Sequence, residues 1–315
     1  KEVYSYIQDF LKPGIKLDDI CHRIENKIRV LSKKYTELYG LPKQFNDSIA
    51  FPTGISINHV AAHYTPYYNE PTILKETDVC KIDYGVHING CIVDSAFTIN
   101  IDGKFNKLLE ASNTAVNSII KNIGVDTKFK ELSELSHEIV CSYEIEIDNK
   151  LVGLKPIDNI SGHNILPWKI HGGKLLHGLP KINDTQIVEE NDVIAVEIFV
   201  STGDGTTILD TNTDNYSHYM LKTMDTKIPI FQTKKTNELV SIIKNNFSTL
   251  PFCPRFINYF NKNNRNINYK YSINELFNSA FLNSYPPLIE TDSSSYISQF
   301  EHTIFIGTNK IILSK

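Results

Sequence analysis

Two carboxylates, Asp83 and Asp94, stand in an apolar stretch that runs from Asp78 to Ile101. Apolar β-branched and aromatic residues recur on both sides of the dipeptide Asn89-Gly90. Asn-Gly is a strong hairpin signal because both turn positions require positive φ. The stretch therefore predicts a β-hairpin in which each strand carries one aspartate.

A two-residue turn at Asn89-Gly90 fixes the register of this hairpin. It places Asp94 opposite Gly85 and Asp83 opposite Ala96, so that small residues face both carboxylates and leave space for metal ions beside them. The two aspartates become diagonal neighbours on one face, roughly 7–8 Å apart at Cα. Converging carboxylates raise each other's pKa, and burial raises it further, so the arrangement favours a bound cation. The alternative is an ordinary strand pair whose aspartates both face solvent.

Three further side chains occupy positions where a structural role alone is costly. Glu197 and Glu301 interrupt apolar strands, DVIAVEIFV and QFEHTIFI, and His163 follows Gly162. A charge inside an apolar strand requires a partner or a metal. With the two aspartates, this set suits a pair of divalent cations, and oxygen-rich ligation favours Mn²⁺, Fe²⁺ or Co²⁺, with Zn²⁺ as a further candidate. Two cations about 3.5–4 Å apart can activate water for hydrolysis.

Two more imidazoles are candidates for contact with a substrate. His63 and His171 could orient a substrate amide or donate to a developing oxyanion, although each taken alone is also typical of an ordinary polar histidine. Other catalytic motifs are absent from the sequence. There is no GxSxG, P-loop or GxGxxG, and His137-Glu138 lacks a second histidine four residues further on.

Composition restricts the class of protein. The chain has 315 residues and a formal net charge of −4, which gives no indication of a DNA or membrane-surface partner. No apolar run reaches the length of a transmembrane helix, and no signal peptide is visible. The cysteine count is five, without a CxxC pair. We expect reduced thiols that pack as small hydrophobes, Cys80 and Cys91 among apolar hairpin neighbours, in a reducing compartment.

Periodicity predicts mixed helices and strands around the hairpin. Helical spacing covers residues 1–40, broken at Pro13-Gly14, and a faint repeat relates Gly14-Ile15 to Gly124-Val125, each followed by a helix. We expect a loop over residues 50–66, an Asn/Lys-rich surface loop over 261–271 and a cap at Thr127. Further helices are predicted near 105–123, 129–143, 238–247 and 273–282, and further strands near 143–147, 163, 169–172, 192–200, 297–306 and 310–313.

The motifs around these residues resemble a known family. The chain contains KIDYGVHINGCIVDSAFT, SGHNILPWKIHGGK, AVEIFVSTGDG and QFEHTI, which are similar to the metal-binding segments of methionine aminopeptidases. AFPTGISINHVAAHYTP, SHYM, NNFSTLPFCPR and YPPL are similar to the type 2 branch. The resemblance covers nearly the whole chain and implies an α+β pita-bread fold with internal pseudo-two-fold symmetry. It implies one catalytic domain, 1–315, with a helical subdomain inserted over 210–290.

The same resemblance implies a role for each candidate residue. Asp83 would bind one metal bidentately, Asp94 and Glu301 would bridge two metals, and His163 and Glu197 would complete the second metal's ligands. Glu197 would also act as general base, with His63 and His171 on the scissile amide. The methionine pocket would include Phe51, Ile170, Phe199, His218 and Tyr285.

The resemblance also implies a substrate and a setting. The substrate would be the N-terminal methionine of nascent polypeptides whose second residue is small, with the ribosome as a further candidate partner. A cytoplasmic monomer is expected, without DNA or membrane contact. His59 stands where the family often has Asn, and Leu166-Pro167-Trp168 where type 2 enzymes usually have Gly, a variable residue and Tyr. These departures affect the rim of the site and leave the five metal candidates intact.

Two alternative functions share this fold. An X-Pro aminopeptidase or dipeptidase has a similar metal shell, but would be expected to carry other flanking motifs and an N-terminal domain. A catalytically inactive relative that binds the ribosome or RNA would be expected to lack metal ligands, whereas all five candidate positions here hold competent residues.

Overall fold

A computed structural model describes residues 1–41, 48–212, 216–222, 231, 233–260 and 269–314. The helices described are α1 Glu2–Phe10, α2 Leu17–Leu38, α3 Asn106–Asn122, α4 Phe129–Cys141, α5 Lys234–Asn246, α6 Pro254–Phe260 and α7 Lys270–Asn278. The strands are β1 Ile49–Ile57, β2 Val60–Ala62, β3 Val79–Ile88, β4 Cys91–Asn100, β5 Glu144–Ile147, β6 Lys150–Gly153, β7 Lys155–Pro156, β8 Ser161–Ile165, β9 Leu175–His177, β10 Val193–Ser201, β11 Ile208–Leu209, β12 His218–Leu221, β13 Leu282–Tyr285, β14 Leu288–Ile289, β15 Ile297–Ile306 and β16 Lys310–Ile312. None of the described helices is both long and apolar enough to span a bilayer.

One antiparallel sheet carries the candidate residues. Its strand order is β1-β3-β4-β15-β10-β8-β9, with β7 beside β10 and β16 beside β15. Residues alternate between two faces of such a strand. On β10, the apolar residues Ile194, Val196 and Ile198 pack with α3 and α4, so that Glu197 points to the opposite face. The helices therefore cover one face of the sheet and leave the other for the site.

The two halves of the sheet repeat one hydrogen-bond pattern. Residues 14–17 exchange three backbone hydrogen bonds of 2.8–3.0 Å with residues 72–74, just before α2 and β3. Residues 126–129 exchange three of 2.8–3.1 Å with residues 186–188, just before α4 and β10. Each half thus places a helix and the strand of its carboxylate in the same relation. The faint repeat in the sequence corresponds to a structural one.

The predicted hairpin is confirmed in its register. Asn89 and Gly90 have φ of 48° and 83°, and the pairing sets Asp83 opposite Ala96 and Asp94 opposite Gly85. The expected burial of Cys91 is wrong, because this residue lies beside the exposed turn at the end of the sheet. The described cysteines are all free thiols.

The loop expected over residues 50–66 is wrong. Most of it forms β1, an edge strand that pairs with β3, and the short β2. Pro52, which reads as a strand breaker, lies within the register shift between Phe51 and Gly54 of β1. Proline is tolerated at sheet edges and bulges because no ladder hydrogen bond needs its missing N–H.

Two local predictions after α3 are also wrong. Thr127 does not cap α4, because Lys128 is the N-cap and the Thr127 hydroxyl instead accepts the Gly124 N–H at 3.0 Å. Residues 169–172 are not a strand. Leu166 and Lys169 form an isolated bridge, and the chain turns between them.

The region of the expected insertion contains more helix than the periodicity predicted. α5 and α7 begin before the predicted bounds, and α6 was not predicted because it is only seven residues long and starts at Pro254. The predicted surface loop over 261–271 falls mostly on residues 261–268, which lie outside the described residues, and its last residues belong to the start of α7.

Candidate metal centre and substrate cavity

Four strands place the predicted ligands in two adjacent rows on the open face of the sheet. In the first row, Asp83 lies opposite Ala96, Ala96 opposite Glu301, and Glu301 opposite Glu197. Three carboxylates therefore meet across β3, β4, β15 and β10, with one alanine between them. No sequence-local signal relates Glu301 to the other two, because strand order alone brings it between them.

The second row holds the remaining two ligands. Asp94 lies two residues from Ala96 along β4, and His163 on β8 lies opposite Ala195. Between them, the Thr303 hydroxyl accepts the Asp94 N–H and donates to the Asp94 carbonyl, both at 2.7 Å. Gly162 is required here, because a Cβ would lie 2.6 Å from the Ala195 carbonyl oxygen. The glycine before His163 therefore lets β8 approach β10.

The rows bring ligand atoms together in two groups. Asp94, His163 and Glu301 offer atoms within 4.8 Å of one another, and so do Asp83, Glu197 and Glu301. Glu301 belongs to both groups, as a bridging carboxylate would. Asp94 Oδ2 lies 3.9 Å from His163 Nε2. The structure groups Glu197 with Asp83, whereas the family resemblance implied that Glu197 shares a cation with His163.

The electrostatics of this cluster suit divalent cations. Burial raises the pKa of Asp83 to about 7, and burial together with neighbouring carboxylates raises the pKa of Asp94 and Glu301 well above the ordinary range. Burial, followed by the charge of Asp83, raises the pKa of Glu197. One oxygen each of Asp83, Asp94 and Glu301 is buried without a hydrogen-bond partner among the described residues. Oxygen donors that are buried and unpaired fit a bound divalent metal.

Gln299 is a site residue that sequence reasoning missed. Its amide donates to Glu197 Oε1 at 2.7 Å and approaches Asp83 Oδ2 at 3.5 Å. The residue lies two positions before Glu301, on the same face of β15. Period-two spacing from Glu301 could have found it, but a neutral amide carries no burial penalty comparable to that of a carboxylate.

The candidate substrate histidines stand beside the cluster. The rings of His163 and His171 are 4.4 Å apart and nearly perpendicular, while His63 lies 5.9 Å from His218 and 6.0 Å from Tyr285. His63 has a φ of 64°, a backbone region that non-glycine residues seldom adopt outside constrained or functional sites. Burial, with His171 nearby, lowers the pKa of His63 to about 4, and burial lowers that of His171. Both rings are therefore neutral at pH 7.

A cavity of about 460 Å³ opens onto the carboxylates. Its walls include every predicted pocket residue and four of the five predicted ligands, while Glu301 is not among the residues described as lining it. The predicted members are Phe51, His63, Ile170, His171, Phe199, His218 and Tyr285. Further lining residues that sequence reasoning missed are Pro52, Gly54, Ala62, Asn159, Ile160, Ser161, Leu175, Met220, Pro251 and Leu288.

Two expectations about the rim are revised. A Cβ on Gly85 would lie 2.2 Å from the Phe51 ring, so this glycine makes room for the pocket wall rather than for metals. His59 is not among the residues described as lining the cavity. Its backbone carbonyl accepts the Glu290 N–H at 3.1 Å, on the β14 side of the site.

Comparison with known proteins defines the class. Residues 1–217 match the model of metallopeptidase family M24. Methionine aminopeptidase 2-2 of Chaetomium globosum is 40% identical over 318 residues, which cover 100% of this chain and 69% of that protein. A thermophilic Arx1 has a TM-score of 0.76 at 18% identity, over 99% of this chain and 86% of that one. A methionine aminopeptidase from Thermotoga maritima has a TM-score of 0.62 at 16% identity, over 100% and 91%. At these identities the two structures show the fold alone.

The chain belongs to metallopeptidase family M24. The expected α+β pita-bread fold is confirmed. The resemblance to type 2 methionine aminopeptidases, and with it the predicted class of metallo-exopeptidase, is confirmed by the relative that matches the whole chain.

Proposed function

We propose that this protein removes the initiator methionine from nascent polypeptides whose second residue is small. The observation that carries the proposal is the pair of ligand groups sharing Glu301 at the wall of an apolar cavity. The names of relatives that match the whole chain support methionine as the residue removed. A cavity with aromatic and aliphatic walls that ends at the metal ligands favours cleavage next to a terminal residue.

The metal ligands in this proposal are Asp83, Asp94, His163, Glu197 and Glu301. The buried, unpaired oxygens of Asp83, Asp94 and Glu301 fit two divalent cations, with Mn²⁺, Co²⁺, Fe²⁺ and Zn²⁺ as candidates. When bound, such a pair supplies Lewis-acid activation of water and of a peptide carbonyl.

Glu197 serves as the general base. Its carboxylate faces the cavity, and the Gln299 amide holds Oε1 at 2.7 Å. The carboxylate accepts a proton from the attacking water and delivers it to the leaving amine.

His63 and His171 bind the scissile peptide. Both are neutral at pH 7 because their pKa values are lowered, so each carries one N–H donor and one acceptor. A donor aimed at the carbonyl oxygen stabilises the charge that develops there during attack.

The pocket takes the methionine side chain. Phe51, Ile170, Phe199, His218 and Tyr285 supply aromatic and aliphatic contacts, and thioether sulfur interacts favourably with aromatic rings. Tyr285 lies directly opposite His218 in the β12–β13 pair. We interpret residues 210–290 as an inserted subdomain whose two flanking strands form this wall.

The setting of the reaction belongs to the same proposal. We place the enzyme in the cytoplasm as a monomer acting on chains that leave the ribosome. The free thiols of the described residues, three of them buried, agree with a reducing compartment.

The test is release of free methionine from Met-Ala-Ser by protein loaded with Mn²⁺ or Co²⁺. Glu197→Gln should remain folded, and its kcat should fall at least about a hundredfold because the substitution removes the general base. Release from an X-Pro peptide in place of Met-Ala-Ser would favour the X-Pro aminopeptidase alternative. No release from any peptide, by folded protein with any of the four metals, would overturn the proposal in favour of a binding protein.

A further inference from the structure

The loop between His163 and His171 contains an unusual turn. Leu166 and Lys169 exchange backbone hydrogen bonds of 3.0 and 2.9 Å, which leaves Pro167 and Trp168 as the central turn positions. Trp168 has a φ of 61°. Turns of this kind favour Gly or Asn at that position, because a bulky side chain is disfavoured there. A tryptophan held in this conformation indicates that its ring is needed where it lies.

The Trp168 side chain and backbone join three segments. The backbone N–H of Trp168 donates to the Gly90 carbonyl at 2.9 Å, and the backbone carbonyl of Trp168 accepts a hydrogen bond from the Thr249 hydroxyl. The indole covers Gly90 so closely that a Cβ there would lie 2.3 Å from Nε1. The His87 ring centroid is 5.1 Å away. Trp168 therefore ties the histidine loop to the β3–β4 turn and to the segment before α6.

His171 depends on this loop for its position. The residue as a whole is more exposed than the buried His163, although its ring is partly covered, so surrounding packing fixes it less. The next residue, Gly172, donates to the Asn164 carbonyl at 2.7 Å. The residue before it, Ile170, is buried in an apolar cluster that Trp168 packs against. The backbone on both sides of His171 is thus held, on one side through Trp168.

We propose that Trp168 is a positioning residue for His171. This inference rests on the proposed function, because His171 matters to catalysis only if the cavity binds a scissile peptide. Trp168 touches neither ligand group in this account. Its effect should pass through His171 and should leave the metal ligands on the sheet undisturbed.

A double-mutant cycle tests this dependence in the Mn²⁺-loaded protein with Met-Ala-Ser. Trp168→Gly removes the ring and suits the positive φ, so that the turn itself is retained. A misplacement of about 1 Å in a catalytic group lowers kcat by about a hundredfold, and we expect a loss of about 10- to 100-fold with Mn²⁺ content unchanged. In a His171→Ala background the same substitution should change kcat less than about twofold. Leu166→Ala, in the same turn and exposed, is the matched control and should leave kcat unchanged.

Equal losses in both backgrounds, or no loss in either, would overturn the positioning role. A crystal structure of Trp168→Gly gives a second reading that does not depend on turnover. We expect the His171 ring displaced by about 1 Å or more while the five ligands stay in place. An unmoved His171 would overturn this inference even if the unmutated protein released no methionine. That last result, by itself, would count against the proposed function.

Discussion

Glu301 is the residue that joins the two ligand groups of the site. It lies directly opposite both Ala96 and Glu197, and it is the one carboxylate found in both ligand groups. Its raised pKa follows from burial and from the charges of Asp94, Glu197 and Asp83. Such a concentration of carboxylates is unfavourable without cations, because moving a charged group from water into the protein interior costs on the order of several kcal/mol per ion. The presence of so costly a cluster in the fold therefore indicates a functional role for it.

Gly85→Ala should damage the pocket wall and leave the metal ligands in place. The added Cβ would overlap the Phe51 ring at 2.2 Å, so the ring must move. Overpacking of this kind costs about 1–3 kcal/mol in the free energy of unfolding, and the KM for Met-Ala-Ser should rise. Denaturant titration and steady-state kinetics measure the two effects.

Gly153→Ala is the matched control for that substitution. Gly153 has open space where the Cβ would lie, and it stands in β6, outside the main sheet. It should change neither the stability beyond about 0.5 kcal/mol nor the KM. An unchanged KM for Gly85→Ala would show that Phe51 is not part of the methionine pocket.

The four carboxylates among the metal candidates could be predicted from the sequence because carboxylates inside apolar strands are rare and costly. Gln299 and Thr303 were missed, because burying a neutral polar side chain costs less than burying a carboxylate, and only their period-two spacing from Glu301 points to them. Gly85 was predicted, but for the wrong reason, because its partner Phe51 lies on a strand that the sequence pattern missed. Contacts between β1 and β3 depend on a strand pairing that no local sequence signal predicts.

At the scale of elements, the helices after β12 are fastened to the first half of the chain by a buried ion pair. Arg255 on α6 donates to Glu25 on α2, to the Thr65 hydroxyl at 2.8 Å and to the Pro66 carbonyl at 2.5 Å. Both charged side chains are almost fully buried. The ion pair and the hydrogen bonds place α6 against the segment that leads from β2 and His63.

Arg255→Met should destabilise the protein strongly. It leaves Glu25 buried without its cation, a change that costs about 3–5 kcal/mol. Adding Glu25→Met should recover most of this loss, because an apolar pair of similar volume often replaces a buried ion pair without net cost. The free energies of unfolding of the single and double variants measure the effect. A double variant no more stable than Arg255→Met would contradict this account of the contact.

Element prediction succeeded where local chemistry fixes the outcome. Asn89-Gly90 set the hairpin register, and apolar spacing located α2, α3 and α4. The prediction failed at β1, where Pro52 and Gly54 suggested a loop. Only the pairing with β3 shows that this segment is the edge strand of the sheet. It failed again at residues 169–172, where the turn at Pro167-Trp168 interrupts an apparent strand.

For the molecule as a whole, the ligand cluster links metal, pH and stability. Without metal, the pKa of Asp83 rises to about 7 in the folded state, against an ordinary value of about 3.9 when unfolded. Between these pH values the folded state keeps a proton that the unfolded state has lost. The stability contributed by this group is therefore complete below about pH 4 and is lost as pH rises through about 7.

Metal binding should reverse this trend, because a carboxylate must lose its proton to bind a cation. The rise in Tm produced by Mn²⁺ should be larger at pH 8 than at pH 6, relative to protein treated with a chelator. Asp83→Asn should reduce this difference. Equal rises at the two pH values would contradict the assignment of these carboxylates as metal ligands.

The most direct test of the central claim is anomalous scattering from a crystal of the Mn²⁺-loaded protein. We predict two manganese peaks about 3.5–4 Å apart, with the Glu301 carboxylate between them. One peak should lie beside Asp94 and His163, the other beside Asp83. A single peak, or peaks away from Glu301, would contradict the account.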